Sequence, residues 1–506
     1  MKLSLQNVFI AVLLITVCTF AQDADESNIP IKREFRGAWV ATVANIDWPM
    51  DRNATPGAQI ADLVSTMDKL KAAGINAVIF QVRTECDALY KSSIEPWSYW
   101  LTGHQGQAPE PFFDPLEFAI AEAHSRGMEL HAWFNPYRAV KTTGEYELAS
   151  NHVSAVHPDW ILTFGSLKIL DPGNPEVKTY ILSIVSDVLR RYDIDGIHFD
   201  DYFYPYTPIT NEDSLTFVKY KGSFTNIHDW RRNNINDLMA KIYDSVKVVK
   251  PRVKFGISPF GIVENKYAGT NGFSSYDILY CDPLTWIKNK SVDYINPQLY
   301  WEIGHARADY AKLLPWWASV SNTCQLYIGQ YSSSMAAPGY KGSKTELEDQ
   351  LRMNRSTKNV QGEVFFSSKS ITQNFSGFAD TLKNNFYKYP ALPPLMSWKD
   401  AAAPLAPQDL KLKADSAGVT LEWVRAKKAS DGEEAAYFVI YKFSDKESID
   451  INDPRNILTI IPAGKNKFRD NFTASAGEKY TYVVTSLDRL YNESDNNPQV
   501  TTGGNL

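Results

Sequence analysis

The sequence predicts an α/β chain, a (β/α)8 TIM barrel followed by a C-terminal immunoglobulin-like β-sandwich. Three observations predict it. Between Phe35 and Tyr389 eight short β-type runs alternate with longer helical patterns, and eight parallel strands covered by helices close such a barrel. The segments after the strands are long, whereas those before them are as short as Gly74-Ile75-Asn76 and Arg126-Gly127, the asymmetry of a scaffold whose working loops share one face. Past Pro390 the helical patterns stop, and β-type runs between turn-rich stretches take over. The 506 residues also exceed the roughly 250–300 over which a single core grows.

In chain order the strands are read at 35–42, 77–83, 128–135, 196–202, 254–260, 293–300, 325–331 and 362–368. Runs such as Ala77-Val78-Ile79-Phe80 are apolar throughout, as strands buried on both faces should be. After the first strand Ile60, Leu63, Val64, Met67 and Leu70 recur at three- and four-residue spacing, the period of a helix. Comparable helices are expected at 115–126, 175–191, 226–248, 305–319, 345–353 and 372–385, with 271–281 the best segment between strands five and six. Leu392-Pro393-Pro394-Leu395 and the alanines and prolines up to Pro407 make a semi-rigid connector. Val419 to Trp423, Tyr437 to Tyr441 and Tyr480 to Thr485 are then strands of a sandwich. The chain divides into a leader (1–22), the barrel (31–390), the connector (391–406) and the sandwich (407–500).

Residues 1–22 combine an early lysine, an apolar run from Val8 to Phe20 and small residues near Ala21, the form of a secretory signal. The expected location is the periplasm or cell envelope, or outside the cell. Lipid anchoring through Cys18 is the weaker alternative, because Val17 precedes it where a small residue belongs. Cys86, Cys281 and Cys324 remain after the leader, too sparse for a disulfide framework, although one bridge could form. No CxxC or HExxH supports a metal, and no GxSxG, GxxxxGK[ST] or GxGxxG motif supports a serine hydrolase, a P-loop or a dinucleotide cofactor. No cofactor is expected. The formal charge of −6 is small and dispersed, which argues against a nucleic-acid partner, and no later apolar run is long enough for a transmembrane segment.

The strongest chemical signal is Gly196-Ile197-His198-Phe199-Asp200-Asp201-Tyr202. Strand alternation puts His198 and Asp200 on the inner face and Asp201 on the other. A carboxylate at the barrel mouth suits a nucleophile or base in glycoside cleavage, with a protonated second acid to release the leaving oxygen. Glu302 is the first choice for that acid and Asp87, Glu85 and Glu264 are the others, while Asp201 is a weaker catalytic candidate beside Asp200. His131, Trp133 and Asn135 share a face of the third strand and, with Arg83, Arg138, His198, Tyr202, Gln298, Tyr300 and Trp301, are candidate sugar contacts. Trp39, Trp48, Trp97, Trp100, Trp133 and Trp301 fall at strand ends or in adjacent loops, which reads as an aromatic groove for poly- or oligosaccharide. A non-catalytic glycan-binding protein and a metal-dependent hydrolase or deacetylase using the aspartates with His131 and His198 are the competing readings.

Seven blocks, Phe35 to Val40, Gln81 to Arg83 with Asp87 to Tyr90, Glu95 to Ser98, His131 to Arg138, Phe199 to Pro205, Gly256 to Gly261 and Pro297 to Trp301, closely resemble the bacterial glycosyl hydrolase-like 10 family. The resemblance spans about residues 31–390 in the family's order. It implies an exported TIM-barrel glycosidase relative, with cell-envelope glycan such as peptidoglycan strands as substrate, and it favours Asp200, Asp201, Asp87 and the His131 to Arg138 block as functional positions. Cys86 departs from the pattern by standing where a glycine is expected. The C-terminal region is similar to a fibronectin type III domain, on Trp423 and the Tyr437 and Tyr480 strands.

Overall fold

The computed structural model describes residues 30–415, 417–472 and 478–503; the leader and Cys18 lie outside them. Eight parallel strands close a barrel: β1 (Phe35–Val40), β2 (Ala77–Arg83), β3 (Glu129–Phe134), β4 (Gly196–Phe199), β5 (Lys254–Ile257), β6 (Tyr294–Ile295), β7 (Gln325–Gln330) and β8 (Gly362–Phe365). Each pairs with its sequence neighbour, and β1 joins β8 through Phe35 to Ala38 against Gly362 to Phe365. All eight fall where the sequence places them, most ending one to three residues sooner. The strand β6 stops earliest, at Ile295, and β4 ends at Phe199; these two ends decide where several site residues point.

The main helices start on a shared device. Thr55-Pro56, Asp114-Pro115, Asn174-Pro175 and Asp282-Pro283 each put a capping oxygen before a proline, and each side chain accepts a backbone N–H of the first turn. Proline fits the first helical position because its N–H would be unpaired there. The helices so begun are α1 (Pro56–Ala72), α2 (Pro115–Ser125), α3 (Pro175–Arg191) and, shorter, Pro283–Lys288. Helices Ile227–Val249, Tyr310–Val320 and Glu346–Ser356 complete the regular cover. Two expectations need correction. The segment 271–281 holds only one turn, Ser275–Ile278, and the covering helix is Pro283–Lys288. The helix read at 372–385 is broken, with left-handed Asn374 and Gly377 separating one turn from the next.

The loop after β3 holds a three-stranded antiparallel sheet (Arg138–Val140, Ile161–Phe164, Leu167–Leu170) that had not been foreseen. It fixes Arg138 at the barrel mouth. Residues Gln408–Asp415, Gly418–Val424 and Lys467–Asn471 form one sheet of the C-terminal sandwich; Tyr437–Ser444, Ile457–Pro462, Tyr480–Leu487 and Gln499–Thr501 form the other. Leu421, Trp423, Phe438, Ile440 and Val484 fill the space between them.

The sandwich sits against the N-terminal end of the barrel, away from the long loops. Arg489 bridges to Asp195 at 2.9 Å and Lys32 to Glu493 at 2.6 Å. The connector crosses the barrel floor: Met396 is buried with Phe35, Tyr294 and Tyr327, while Trp398 and Lys399 donate to buried Asp293 at 3.1 and 2.8 Å. It therefore works as a plug rather than a loose spacer.

Candidate active site

At the C-terminal mouth lies a cavity of about 300 Å³. Asp200 and Asp201 stand in it, 4% and 1% exposed. Around Asp200 the donors are ordered by a chain that begins in backbone. The N–H groups of Thr42 and Val43 both donate to Gln81 Oε1 at 2.9 Å, so Gln81 must offer its amide nitrogen to Asn135 Oδ1, at 2.6 Å. Arg138 Nη2 donates to the same oxygen at 2.9 Å. That turns the amide nitrogen of Asn135 toward Asp200 Oδ2, where Trp133 Nε1 also donates at 3.2 Å; the N–H of Tyr202 reaches Oδ1 at 3.2 Å. Asp201 accepts from the Tyr206 hydroxyl and from Gln298.

Burial raises both acids. Asp200 is pushed up to about 7, by desolvation first and the neighbouring Asp201 second, against the pull of Arg138. Asp201 is pushed up to about 6 by desolvation, against the Tyr206 and Gln298 bonds. Adjacent acids whose charges repel titrate as a pair, so near neutral pH one is ionised while the other keeps its proton. A general acid and a base on one site need that condition.

Asp201 corrects a sequence expectation. Alternation sends it outward, but β4 ends at Phe199, and the N–H of Phe203 folds back onto the Asp201 carbonyl at 2.9 Å. Both carboxylates therefore share the cavity. Trp133, Arg138, Tyr202, Gln298 and Tyr300 line it with them, as expected, while Asn135 supports Asp200 from behind.

The two histidines lie beneath. Trp39 Nε1 donates to His198 Nε2 at 3.2 Å; an indole nitrogen only donates, so His198 carries its proton on Nδ1. From there the donors run one way, His198 to the Tyr294 hydroxyl (3.0 Å), Tyr294 to His131 Nδ1 (2.8 Å), and His131 Nε2 to Glu129 (2.8 Å). Burial holds His198 well below the usual imidazole range, which keeps it neutral. His131 and His198 thus brace Trp39 from inside the barrel instead of meeting a ligand.

Six other expected positions fall elsewhere. Glu302 points away from the cavity and takes the Tyr340 hydroxyl at 2.5 Å, since β6 ends at Ile295 and strand parity is lost before residue 302. Trp301 packs edge-on against Phe260. Arg83 is spent on buried Glu95 at 2.7 Å and on the carbonyl of Pro136 at 3.0 Å. Asp87 holds its own loop, accepting from Thr84 Oγ1 at 2.7 Å and from the N–H of Glu85 at 3.1 Å. Between them Cys86 has φ +54°, the left-handed conformation a glycine adopts at no cost. Glu85 takes Trp100 Nε1 at 2.7 Å, and Glu264 pairs with Lys266 at 2.8 Å.

The tryptophan groove shrinks to Trp39 and Trp133; Trp48 and Trp100 are buried as packing. Tyrosines take the rim instead: Tyr202, Tyr206 and Tyr331 line the cavity and are 36–41% exposed. Gln81 and Tyr206 are the functional contributions that sequence reasoning missed. Gln81 sat in a recognised block but reads as one more strand residue, and nothing marks Tyr206. Cys86, Cys281 and Cys324 are all buried and unbridged. Among the described residues the one group able to share a cation is Asp400, Asp431 and Glu433, far from the mouth. A wider cleft of about 590 Å³ lies between barrel floor and sandwich, lined by His124, Asp193 and Arg489; much of its charge is already paired, as in Arg489 with Asp193 at 3.3 Å.

A parallel barrel holding paired acids under an aromatic rim, at the ends of its strands, is the build of a glycosidase-type protein. The chain belongs to the Glycosyl hydrolase-like 10 family, which matches residues 34–345. It is 39% identical over 484 residues to the glycosyl hydrolase YngK of Bacillus subtilis, covering 92% of this chain and 93% of that one. It is also 39% identical over 364 residues to the glycosyl hydrolase DigH of Escherichia coli strain K12, covering 65% and 82%. Among solved structures it is similar to the glycoside hydrolase domain of PgaB (BpsB) from Bordetella bronchiseptica, at 14% identity and a TM-score of 0.45, over 70% of this chain and 98% of that one.

Proposed function

We propose that this protein is an exported hydrolase of O-glycosidic bonds in a bacterial cell-envelope glycan, such as the sugar strands of peptidoglycan, and that Asp200 and Asp201 are its catalytic pair. The observation behind this reading is the pair itself: two buried acids, both raised toward neutrality, in a sugar-sized cavity with rings at its rim. Asp200 receives three N–H donors and sits near Arg138, which favours its ionised form. Burial and the neighbouring acid raise Asp200 more than Asp201, but the pair shares one proton near neutral pH, and with a sugar bound these donors hold the charge on Asp200 and leave Asp201 the proton that the leaving oxygen needs. Tyr202, Tyr206 and Tyr300 offer ring faces to the pyranose, Arg138 offers a donor to its hydroxyls and Gln298 its amide oxygen as an acceptor.

The test is reducing-end release from bacterial wall glycans, with and without stem peptides, and from common polysaccharides. Wild type should release product with or without EDTA, and Asp200→Asn and Asp201→Asn should each abolish release while still folding. Tight binding to one glycan with no product from any would reassign the protein as a recognition module.

A further inference from the structure

Resting on the glycosidase reading, we propose that the nucleophile of the first step belongs to the substrate: the carbonyl oxygen of a 2-acetamido group on the sugar whose glycosidic bond is broken. Substrates are then N-acetylated hexosaminides. A protein nucleophile must stand roughly 5–5.5 Å from the acid, across the scissile bond, and a base activating water roughly 6.5–9.5 Å from it. Asp200 and Asp201 are consecutive, and both enter the cavity from the end of one strand, on one side of it. Among the described residues no third carboxylate lines the cavity. An attack on the face opposite the leaving group therefore lacks a protein nucleophile, and an internal acetamide supplies one.

The cavity is shaped for that group. Part of its wall is Trp39, Ala41, Val43 and Trp133, all buried and mostly apolar, a seat for the acetyl methyl next to the Asp200 that Trp133 donates to. An ionised carboxylate has about four acceptor positions. Asp200 fills three, two on Oδ2 and one on Oδ1. The fourth accepts the acetamide N–H and thereby turns the carbonyl oxygen toward C1. In the first step that oxygen forms a bond to C1 as the bond from C1 to the leaving oxygen breaks. Asp201 gives its proton to the leaving oxygen, and Asp200 takes up the positive charge of the cyclic oxazolinium ion through its N–H. In the second step Asp201 removes a proton from water, the water oxygen bonds to C1, and the ring reopens to the acetamide. The anomeric configuration is retained, and both aspartates return to their starting protonation.

Matched wall glycan strands, N-acetylated, N-trifluoroacetylated and de-N-acetylated, separate this from a protein nucleophile. Fluorination keeps the shape but weakens the carbonyl as a nucleophile. We expect kcat to fall by about 10²-fold or more, the low end of what a positioned catalytic group contributes, with KM little changed. The thiazoline derived from N-acetylglucosamine should inhibit wild type competitively. Equal turnover of the three glycans, or inversion at C1 by NMR, would overturn the substrate-assisted step and leave the glycosidase reading standing. No turnover of any glycan would overturn both.

Discussion

Replacing Asn135 by alanine removes one donor from Asp200 without touching either catalytic carboxylate. In the wild type Asn135 has no freedom to do anything else, because Gln81 and Arg138 both donate to its oxygen. A hydrogen bond to a charged group contributes about 1.5–3 kcal/mol, and about 1.4 kcal/mol corresponds to one pH unit of titration. The missing bond favoured the ionised form, so its loss raises Asp200 beyond its wild-type value of about 7, by about 1–2 units. If activity requires ionised Asp200, the acid limb of kcat/KM against pH moves up by that amount, and the rate on the limb falls about tenfold per unit. Gln81→Leu, one link further back, should move the limb the same way by less. The assay is reducing-end release between pH 4 and 9, with thermal unfolding to confirm that each variant folds. An acid limb that stays in place in a folded Asn135→Ala protein would refute the claim that Asp200 must ionise.

Three other outcomes follow from the same structure. Asp200→Asn should be inactive yet more stable than wild type, increasingly so as pH rises. The folded state keeps the Asp200 proton up to about 7, so this group's stabilising share is full below the ordinary aspartate range and is lost as pH rises through 7. By pH 8 the difference is on the order of 4 kcal/mol, read as a gap in unfolding temperature that is small at pH 4 and wide at pH 8. Glu302→Gln should keep kcat/KM within a few-fold of wild type, because its carboxylate faces Tyr340 outside the cavity; a loss of 10²-fold would return it to the mechanism. Arg83→Leu should cost about 3–5 kcal/mol in chemical denaturation, since Glu95 is left buried and unpaired, and a variant as stable as wild type would contradict the pairing.

The barrel was legible because its strands carry the burial signal themselves. Ala77 to Arg83 is buried at every position and is found residue for residue, and the proline-capped α3 is found with equal fidelity. Side-chain direction was legible only while the strand lasted. His198 lies on the inner face as alternation requires, but two residues past Phe199 the rule fails, and Asp201 turns in where it was expected to turn out. The same failure after Ile295 removed Glu302 from the site while leaving Gln298 and Tyr300 in it. Arg83 misled for another reason. A charged residue at a barrel strand's end invites a ligand, and its true partner, Glu95, lies twelve residues on in a loop whose path no local pattern encodes.

The buried acids at the two ends of the barrel differ mostly in their partners, and that difference supports placing the chemistry at the mouth. At the floor most buried acids have a counter-charge: Glu129 meets Lys254, Asp293 meets Lys399, and Glu34 meets Arg36 and Arg355, while Glu363, pushed up to about 8 by burial first and by Glu34 second, is held by the Tyr387 hydroxyl. Despite burial, the two bases hold Glu34 below the ordinary range, and Lys254 does the same for Glu129. At the mouth Asp200 and Asp201 have donors but no ion pair within reach, and they sit against one another. A fold selected for stability alone would replace one of them with an amide. Conformational strength is thus concentrated where the connector and sandwich close the floor, and it allows an unfavourable carboxylate pair to persist at the open end. Cutting the floor contact should therefore loosen the protein without changing the pH dependence of the reaction, whereas a change at Asn135 should do the reverse.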